Sequence, residues 1–100
     1  MPQPISEAAR LLGERIRDQR VALAISQDDV ANLAGINVSN YGKIERGLSN
    51  PAFYTILRIA VVLGVDPAIF VAGLGESTLP KSIETFTARD FVRERSKRHP

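Results

Sequence analysis

The chain has 100 residues, of which 44% are hydrophobic, and its 13 basic and 11 acidic side chains give a net charge of +2 at pH 7. This length suits one domain with a single modest core, and the absence of Cys excludes disulfides and thiolate metal sites. No apolar run reaches transmembrane length and the first ten residues lack a signal-peptide core, so we expect a soluble cytoplasmic protein with no membrane partner.

The first predicted helix is capped by Ser6 and runs to about residue 24. Its inner stripe consists of Leu12, Ile16 and Leu23. Gly13 lies inside this span, where a glycine costs roughly 1 kcal/mol relative to Ala. It is either a tolerated interior glycine or the point at which the regular helix begins.

Two short helices joined by a tight turn are predicted over residues 27–34 and 38–46. Their inward positions are apolar or small: Val30, Ala31, Ala34, Tyr41 and Ile44. Gly35 lies between the helices and can adopt the positive φ that a sharp turn requires. The pattern is typical of a helix-turn-helix, whose second helix enters the DNA major groove. The alternative is an ordinary two-helix corner of a small bundle.

Both motif helices carry start signals at the expected offsets. Ser26 and Asp29 form an S-x-x-D capping box, and Asn37 can cap the second helix. Ile25 can pack against Val30 across the first cap as a hydrophobic staple. Taken together, these signals favour the helix-turn-helix over the simple corner.

A fourth helix is predicted over residues 52–63, after Gly47 has ended the second motif helix. Asn50 followed by Pro51 predicts its cap and first turn. Its expected buried side chains are Phe53, Ile56, Leu57, Ala60 and Leu63. Val61 and Val62 would then leave an apolar patch that another surface can cover.

A short fifth helix is predicted to start at Asp66 and Pro67, to reach about residue 71, and to bury Ile69 and Phe70. No segment of residues 1–72 alternates convincingly between apolar and polar side chains, so this region is predicted to be all-α. We therefore expect one domain over residues 6–72, followed by a linker and C-terminal extension over residues 73–100.

The C-terminal extension starts with a Gly-containing linker at residues 73–78, and residues 79–86 fit a helix or a strand. Thr87 and Asp90 form a further capping box that starts a helix expected over residues 88–97. Residues 1–73 carry seven basic and seven acidic side chains, so the extension supplies the whole charge excess. Non-specific affinity for DNA scales with the phosphates neutralised, which predicts weak non-specific binding by the neutral part.

Apolar residues in the extension have little other core to join. They are Leu79, Ile83, Phe86, Phe91 and Val92. We expect residues 79–95 either to fold back on the domain or to pair with a second chain. Pairing is preferred, because a symmetric DNA site needs a dimer.

Seven short segments carry a family pattern at matching spacing: LGERIR at 12–17, SQ at 26–27, LAGI at 33–36, IERG at 44–47, NP at 50–51, LRIA at 57–60 and LGV at 63–65. Residues 12–72 thereby resemble the phage-repressor-like helix-turn-helix proteins of the XRE family. The resemblance implies a lambda-repressor-like, five-helix domain that binds operator-like DNA, usually as a homodimer. It implies neither a cofactor nor enzymatic activity.

The resemblance also implies which side chains face the base edges, namely Val38, Ser39 and Lys43. Their chemistry suits that role: Lys43 can donate to guanine O6 and N7, Ser39 can bond several bases, and Val38 can pack on a thymine methyl. The alternatives are a solvated surface position for Lys43 and a core position for Val38.

Other positions match residues that lie near the DNA backbone in this family. They are Asn37, Asn40 and Arg46, and Gln27, whose counterpart commonly touches a phosphate and orients a recognition side chain. Two departures from the pattern are Gly42 inside the second motif helix and Tyr41 in place of an aliphatic residue. The hydroxyl of Tyr41 needs a hydrogen-bond partner or access to water.

Arg20 and Glu45 match a pair that links the first helix to the second motif helix in similar proteins. The resemblance implies a structural ion pair between them, and the alternative is two independent surface charges. If the pair is buried, breaking it costs far more than breaking an exposed bridge.

The leading functional hypothesis is a sequence-specific transcriptional regulator, either repressor or activator. An antitoxin, a restriction–modification controller and a protein-binding adaptor are the alternatives. An enzyme is poorly supported, because there is no Cys, the single His is His99, and no paired-carboxylate or phosphate-loop motif occurs. Residues 88–98 have too short an apolar face to favour binding to a lipid surface.

Overall fold

The computed structural model describes residues 2–80 and 86–98, and its regular structure consists of six α-helices and one 3₁₀ turn at Glu76–Thr78. The helices are α1 (Glu7–Ala22), α2 (Gln27–Ala34), α3 (Val38–Glu45), α4 (Phe53–Leu63), α5 (Ala68–Val71) and α6 (Ala88–Arg98). Since the described ranges contain no strand, the all-α prediction is confirmed. None of the helices described is both long and apolar enough to cross a membrane.

Side-chain caps start four of these helices, as the sequence predicts. Ser6, Ser26, Asn37 and Thr87 each accept a hydrogen bond from a backbone N–H of the following first turn, at 2.9 to 3.2 Å. At Ser26 the box is reciprocal, because Asp29 Oδ2 accepts from the Ser26 N–H at 3.4 Å. These bonds satisfy donors that have no partner inside the helix.

The first helix ends two residues earlier than expected. Leu23 is its C-cap, and Ala24 turns the chain with φ +56°, in the left-handed region that non-glycine residues rarely adopt. Leu23 is therefore 52% exposed, and its predicted place in the inner stripe is wrong. Gly13 lies within α1, so the alternative that it starts the helix is also wrong.

One core holds α1 to α5 together. α1 packs against α3, α4 and α5, while α2 packs against α3 and α4. The buried cluster is Leu12, Ile16, Val30, Ala31, Ala34, Tyr41, Ile44, Ile59, Ala60, Leu63 and Phe70. Ile25 packs against this cluster from the segment that precedes α2, consistent with the predicted staple.

The start and the inner face of α4 differ from the prediction. The helix begins at Phe53, with Ala52 extended at its N-cap and no side-chain cap, so the predicted cap at Asn50 is wrong. Phe53 is 72% exposed, and Ile59 takes the core position expected of Leu57. Apolar side chains of α4 occur on most sides of the helix, so the sequence does not define a single buried stripe.

The short α5 buries only one of its two expected side chains. Phe70 is fully buried, whereas Ile69 is 39% exposed, because a helix of one turn has one inward position. Arg15 of α1 closes the end of this helix, since its Nη1 donates to the carbonyls of Phe70 at 3.2 Å and Ala72 at 2.8 Å.

The C-terminal extension lies against the domain up to Pro80, and Thr87 lines a groove with Ala8 and Leu79. Thr78 is buried, and Leu79 and Pro80 line a groove with Ile5 and the start of α1. The expected helix is present as α6, but its apolar side chains are exposed, Phe91 at 56% and Val92 at 46%. The fold-back expected for residues 79–95 therefore does not extend to α6, and the question of helix or strand at 79–86 falls mostly outside the described residues, as does Ile83.

Candidate nucleic-acid interface

The helix α3 lies directly against α1 at Gly13. A Cβ placed on Gly13 would stand 2.5 Å from the carbonyl oxygen of Glu45 and closer still to that of Ile44. No side chain fits into that space, so the two backbones touch. The glycine that looks like a weak point in α1 is what lets α3 approach it.

A buried carboxylate fixes the C-terminal end of α3. Glu45 Oε2 accepts from Arg20 Nε at 2.7 Å and from the Tyr41 hydroxyl at 2.5 Å, and Oε1 accepts from Arg20 Nη2 at 3.0 Å and from Gln27 Nε2 at 2.9 Å. The side chain of Glu45 is 1% exposed and that of Arg20 is 13% exposed. Arg20 and Glu45 are thus not independent surface charges, and the Tyr41 hydroxyl has its partner.

The ionisation of this cluster follows from its contacts. Burial by itself raises the pKa of Glu45, but hydrogen bonds from Arg20, Tyr41 and Gln27 outweigh it and hold the pKa below its ordinary value. Burial and the hydrogen bond to Glu45 raise the pKa of the Tyr41 phenol well above its ordinary value. At neutral pH, Glu45 is therefore a carboxylate and Tyr41 a neutral donor.

The outer face of α3 presents the side chains expected to read bases. Val38 is 38% exposed, and Ser39, Asn40 and Lys43 are exposed as well. Because Ser39 and Lys43 are four residues apart, they project from the same side of the helix. Partial exposure of Val38 leaves its methyl groups within reach of a ligand at the start of α3.

Two of the residues expected near the DNA backbone already make hydrogen bonds within the protein. Asn37 Oδ1 caps α3, and Gln27 donates to Glu45. The guanidinium of Arg46 lies over Gly42, where an added Cβ would meet Nη1 at 3.0 Å and Gln27 Oε1 at 3.6 Å. Gly42 therefore makes room for two long side chains at the centre of this surface.

Sequence reasoning missed one cation beside α3. Arg58 of α4 is exposed, and its Nη1 would lie 3.6 Å from a Cβ on Gly35 in the turn between the motif helices. With Asn37 and Asn40 it lines a polar groove of about 330 Å³ at the start of α3. The available signal was a single Arg in an otherwise apolar helix. Among the residues described, no group of three or more His, Asp or Glu is placed to hold a metal ion.

Comparison with known proteins places this arrangement among helix-turn-helix regulators. A family model described as HTH_3, helix-turn-helix, matches residues 16–70. The prophage-derived HTH-type transcriptional regulator YonR of Bacillus subtilis is 32% identical over 63 residues, which are 63% of this chain and 58% of that protein. The phage transcriptional repressor RstR of Vibrio cholerae is 32% identical over 62 residues, 62% of this chain and 56% of its own length. The chain thus matches less than two thirds of either relative.

Two solved structures share the fold and more than a quarter of the aligned residues. The restriction–modification controller protein C.AhdI of Aeromonas hydrophila superposes with a TM-score of 0.61 at 34% identity, covering 62% of this chain and 94% of that one. The P22 c2 repressor, solved in complex with a synthetic operator, gives a TM-score of 0.58 at 27% identity, with coverage of 62% and 94%. The prediction of a lambda-repressor-like fold is confirmed.

Proposed function

Because the chain belongs to the HTH_3 helix-turn-helix family, we propose that it is a sequence-specific DNA-binding transcriptional regulator. In this proposal α3 enters the major groove, and the protein acts as a homodimer on a palindromic operator. The names of its relatives, a transcriptional regulator and a transcriptional repressor, support regulation over an antitoxin or adaptor role. The P22 repressor offers a template for an operator complex.

The observation that carries the proposal is the division of α3 into two faces. Tyr41, Ile44 and Glu45 are buried against the domain, while the other face is exposed and polar. A solvent-exposed face on a helix held this firmly suits contact with an outside partner. The groove beside it is lined by amide side chains and Arg58, which suit phosphate oxygens.

Within this surface we assign the reading of base edges to Val38, Ser39 and Lys43. We assign contact with the DNA backbone to Asn37, Asn40 and Arg46. Gln27 contacts the DNA backbone through the second N–H of its side-chain amide, because the other N–H donates to Glu45. Arg46 follows the last residue of α3, where a side chain meets phosphate before it meets a base.

Replacement of Lys43 and of Arg46 by Ala separates these two roles. Lys43→Ala should weaken binding to the preferred site by roughly 1–3 kcal/mol and relax the preference at one base pair. Arg46→Ala should weaken all sequences about equally and reduce the slope of log K against log salt by about 1. Titrations of both variants at several salt concentrations, on preferred and scrambled duplexes, measure the difference. Equal weakening of every sequence by Lys43→Ala would make Lys43 a phosphate contact.

Selection of bound sequences from random duplex DNA tests the function itself. A palindromic consensus with half-sites about 10 base pairs apart, one helical turn, is the expected result. An absence of any enriched sequence would contradict sequence-specific regulation, and an asymmetric consensus would contradict a symmetric dimer.

Apolar side chains in α6 and just before it support the dimer, because Phe86, Phe91 and Val92 are all exposed on the single chain. An 11-residue helix is marginal by itself in water, so pairing would stabilise it. Changing Phe91 and Val92 to Ser in the full chain should halve the mass measured by light scattering. A dimer that survives this change would place the subunit contact elsewhere on the molecule.

A further inference from the structure

We propose that Arg89, Arg93 and Lys97 of α6 form a second DNA contact, which binds the phosphate backbone without sequence preference. This inference rests on the proposed function and adds to it a surface outside the helix-turn-helix. Its partner is the same duplex that α3 reads.

Charge is segregated between the domain and α6. Residues 88–98 carry five basic and two acidic side chains, and the rest of the chain carries eight basic and nine acidic ones. Affinity for DNA that does not depend on sequence comes from neutralising phosphates. The domain has a net charge near zero and contributes to this term only through local contacts such as Arg46, so the excess positive charge of α6 is an additional source of it.

The C-terminal extension leaves the domain beside the recognition surface. Pro80 lines an apolar groove of about 270 Å³ that also contains Ser49 and Pro51, from the loop between α3 and α4. The same two loop residues line the polar groove on the other side, where Asn37 and Asn40 start α3. Thr87, the residue before α6, lines a further groove with Ala8, Leu74 and Leu79, which also line the groove at Pro80, so α6 begins beside this part of the domain.

The three cations form a continuous stripe on α6. Their spacing of four residues puts them on one face of the helix, over a length of about 12 Å. Phe91 lies on the opposite face, about 160° around the helix from Arg93, and Val92 lies to the side of the stripe, about 100° from Arg93. Pairing of two chains through Phe91 therefore leaves the stripe exposed. The side chains of Arg93 and Lys97 are 63% and 68% exposed.

The acidic residues of α6 do not hold these cations firmly. Asp90 lies 3.8 Å from Arg93, and Glu94 lies 3.8 Å from Lys97, both at exposed positions. Ion pairs of this length and exposure contribute little to stability. Phosphate oxygens can therefore replace both carboxylates at small cost.

The test uses the full chain with Arg89→Gln, Arg93→Gln and Lys97→Gln combined. Affinity for a duplex of random sequence is measured by fluorescence anisotropy at several salt concentrations, with light scattering on the same samples. Each phosphate contact adds about 0.9 to the slope of log K against log salt. The slope should therefore fall by about 2 to 3 for each bound chain, or about 5 for a homodimer, on every sequence, while the ratio between preferred and random duplexes stays the same. The matched control is Asp90→Asn with Glu94→Gln, which should not lower the slope.

Two outcomes would overturn the second contact. The first is an unchanged slope and affinity in the triple variant. The second is a slope that falls together with the molecular mass, which would make α6 an assembly surface for protein instead. Failure of the proposed function looks different, because the wild-type chain itself would then bind no duplex and select no sequence.

Discussion

Glu45→Ala should lower the free energy of unfolding by about 3 kcal/mol, the typical cost of breaking a buried ion pair from one side. The change leaves Arg20 with its bond to the Ile25 carbonyl and removes the acceptor of four hydrogen bonds. For a domain of this size, such a loss corresponds to a melting temperature lower by about 12 °C or more. Thermal and urea unfolding measure it.

The matched control is Glu14→Ala, which breaks another glutamate–arginine pair. Glu14 bonds Arg10 at 2.8 Å on the surface, where its side chain is 54% exposed. Solvent screens that pair, so the control should melt close to the wild type. If both variants melted alike, the buried network would not be a major source of stability.

Acidification provides a second measurement on the same variant. The pKa of Glu45 is lowered in the folded state, so its ionisation stabilises the fold above the unfolded value, near 4.3, and this stability is lost as pH falls through the folded pKa. The wild type should therefore lose more stability between neutral pH and about pH 3 than Glu45→Ala does. Parallel losses in the two proteins would mean that Glu45 has an ordinary pKa when folded.

Gly13→Ala should also destabilise the protein, by roughly 2 kcal/mol, although Ala is the better helix former. The gain in helix propensity is about 1 kcal/mol, but the new methyl group overlaps the carbonyls of Ile44 and Glu45, which costs about 3 kcal/mol. Because the obstructing atoms belong to the backbone, α3 must shift away from α1. Denaturation midpoints give the sign and the size.

Gly42→Ala is the control for this change, since it also replaces a glycine inside a helix. The nearest obstacle there is the far end of the Arg46 side chain, which can rotate away. We expect Gly42→Ala to be neutral or to stabilise the fold by up to about 1 kcal/mol. A stable Gly13→Ala variant would show that α1 and α3 can separate without loss.

Local sequence signals predicted where most helices begin. The features that these signals did not predict depend on packing between residues far apart in the chain. Ser26 and Asn37 lie within three residues of the donors they cap, so their role is readable from spacing alone. Asn50 carries the same kind of signal, but Pro51 remains in the loop, where it lines grooves on both sides, and the helix starts later. Contacts with distant residues override a cap in such a loop.

The features of the candidate site also differ in whether the sequence could predict them. The outward positions of α3 follow from helical periodicity, and the Arg20–Glu45 contact followed from family resemblance. The bond from Gln27 to Glu45 joins residues 18 apart and has no local signature. The close fit of Gly13 against α3 has no local signature either, because a lone glycine in a helix looks the same in the sequence whether it is tolerated or required.

The contact between α1 and α3 also bears on the kinetics of association. The helix α3 packs directly on the backbone of α1 at Gly13 and is bonded to Arg20 through the buried carboxylate of Glu45. In the proposed complex it is therefore already ordered before the DNA binds. Only long exposed side chains such as Lys43 and Arg46 remain to be immobilised, so the entropy lost on docking is confined to them. We expect encounters to be limited by diffusion and orientation rather than by rearrangement of the domain, and the free and bound backbones to differ little.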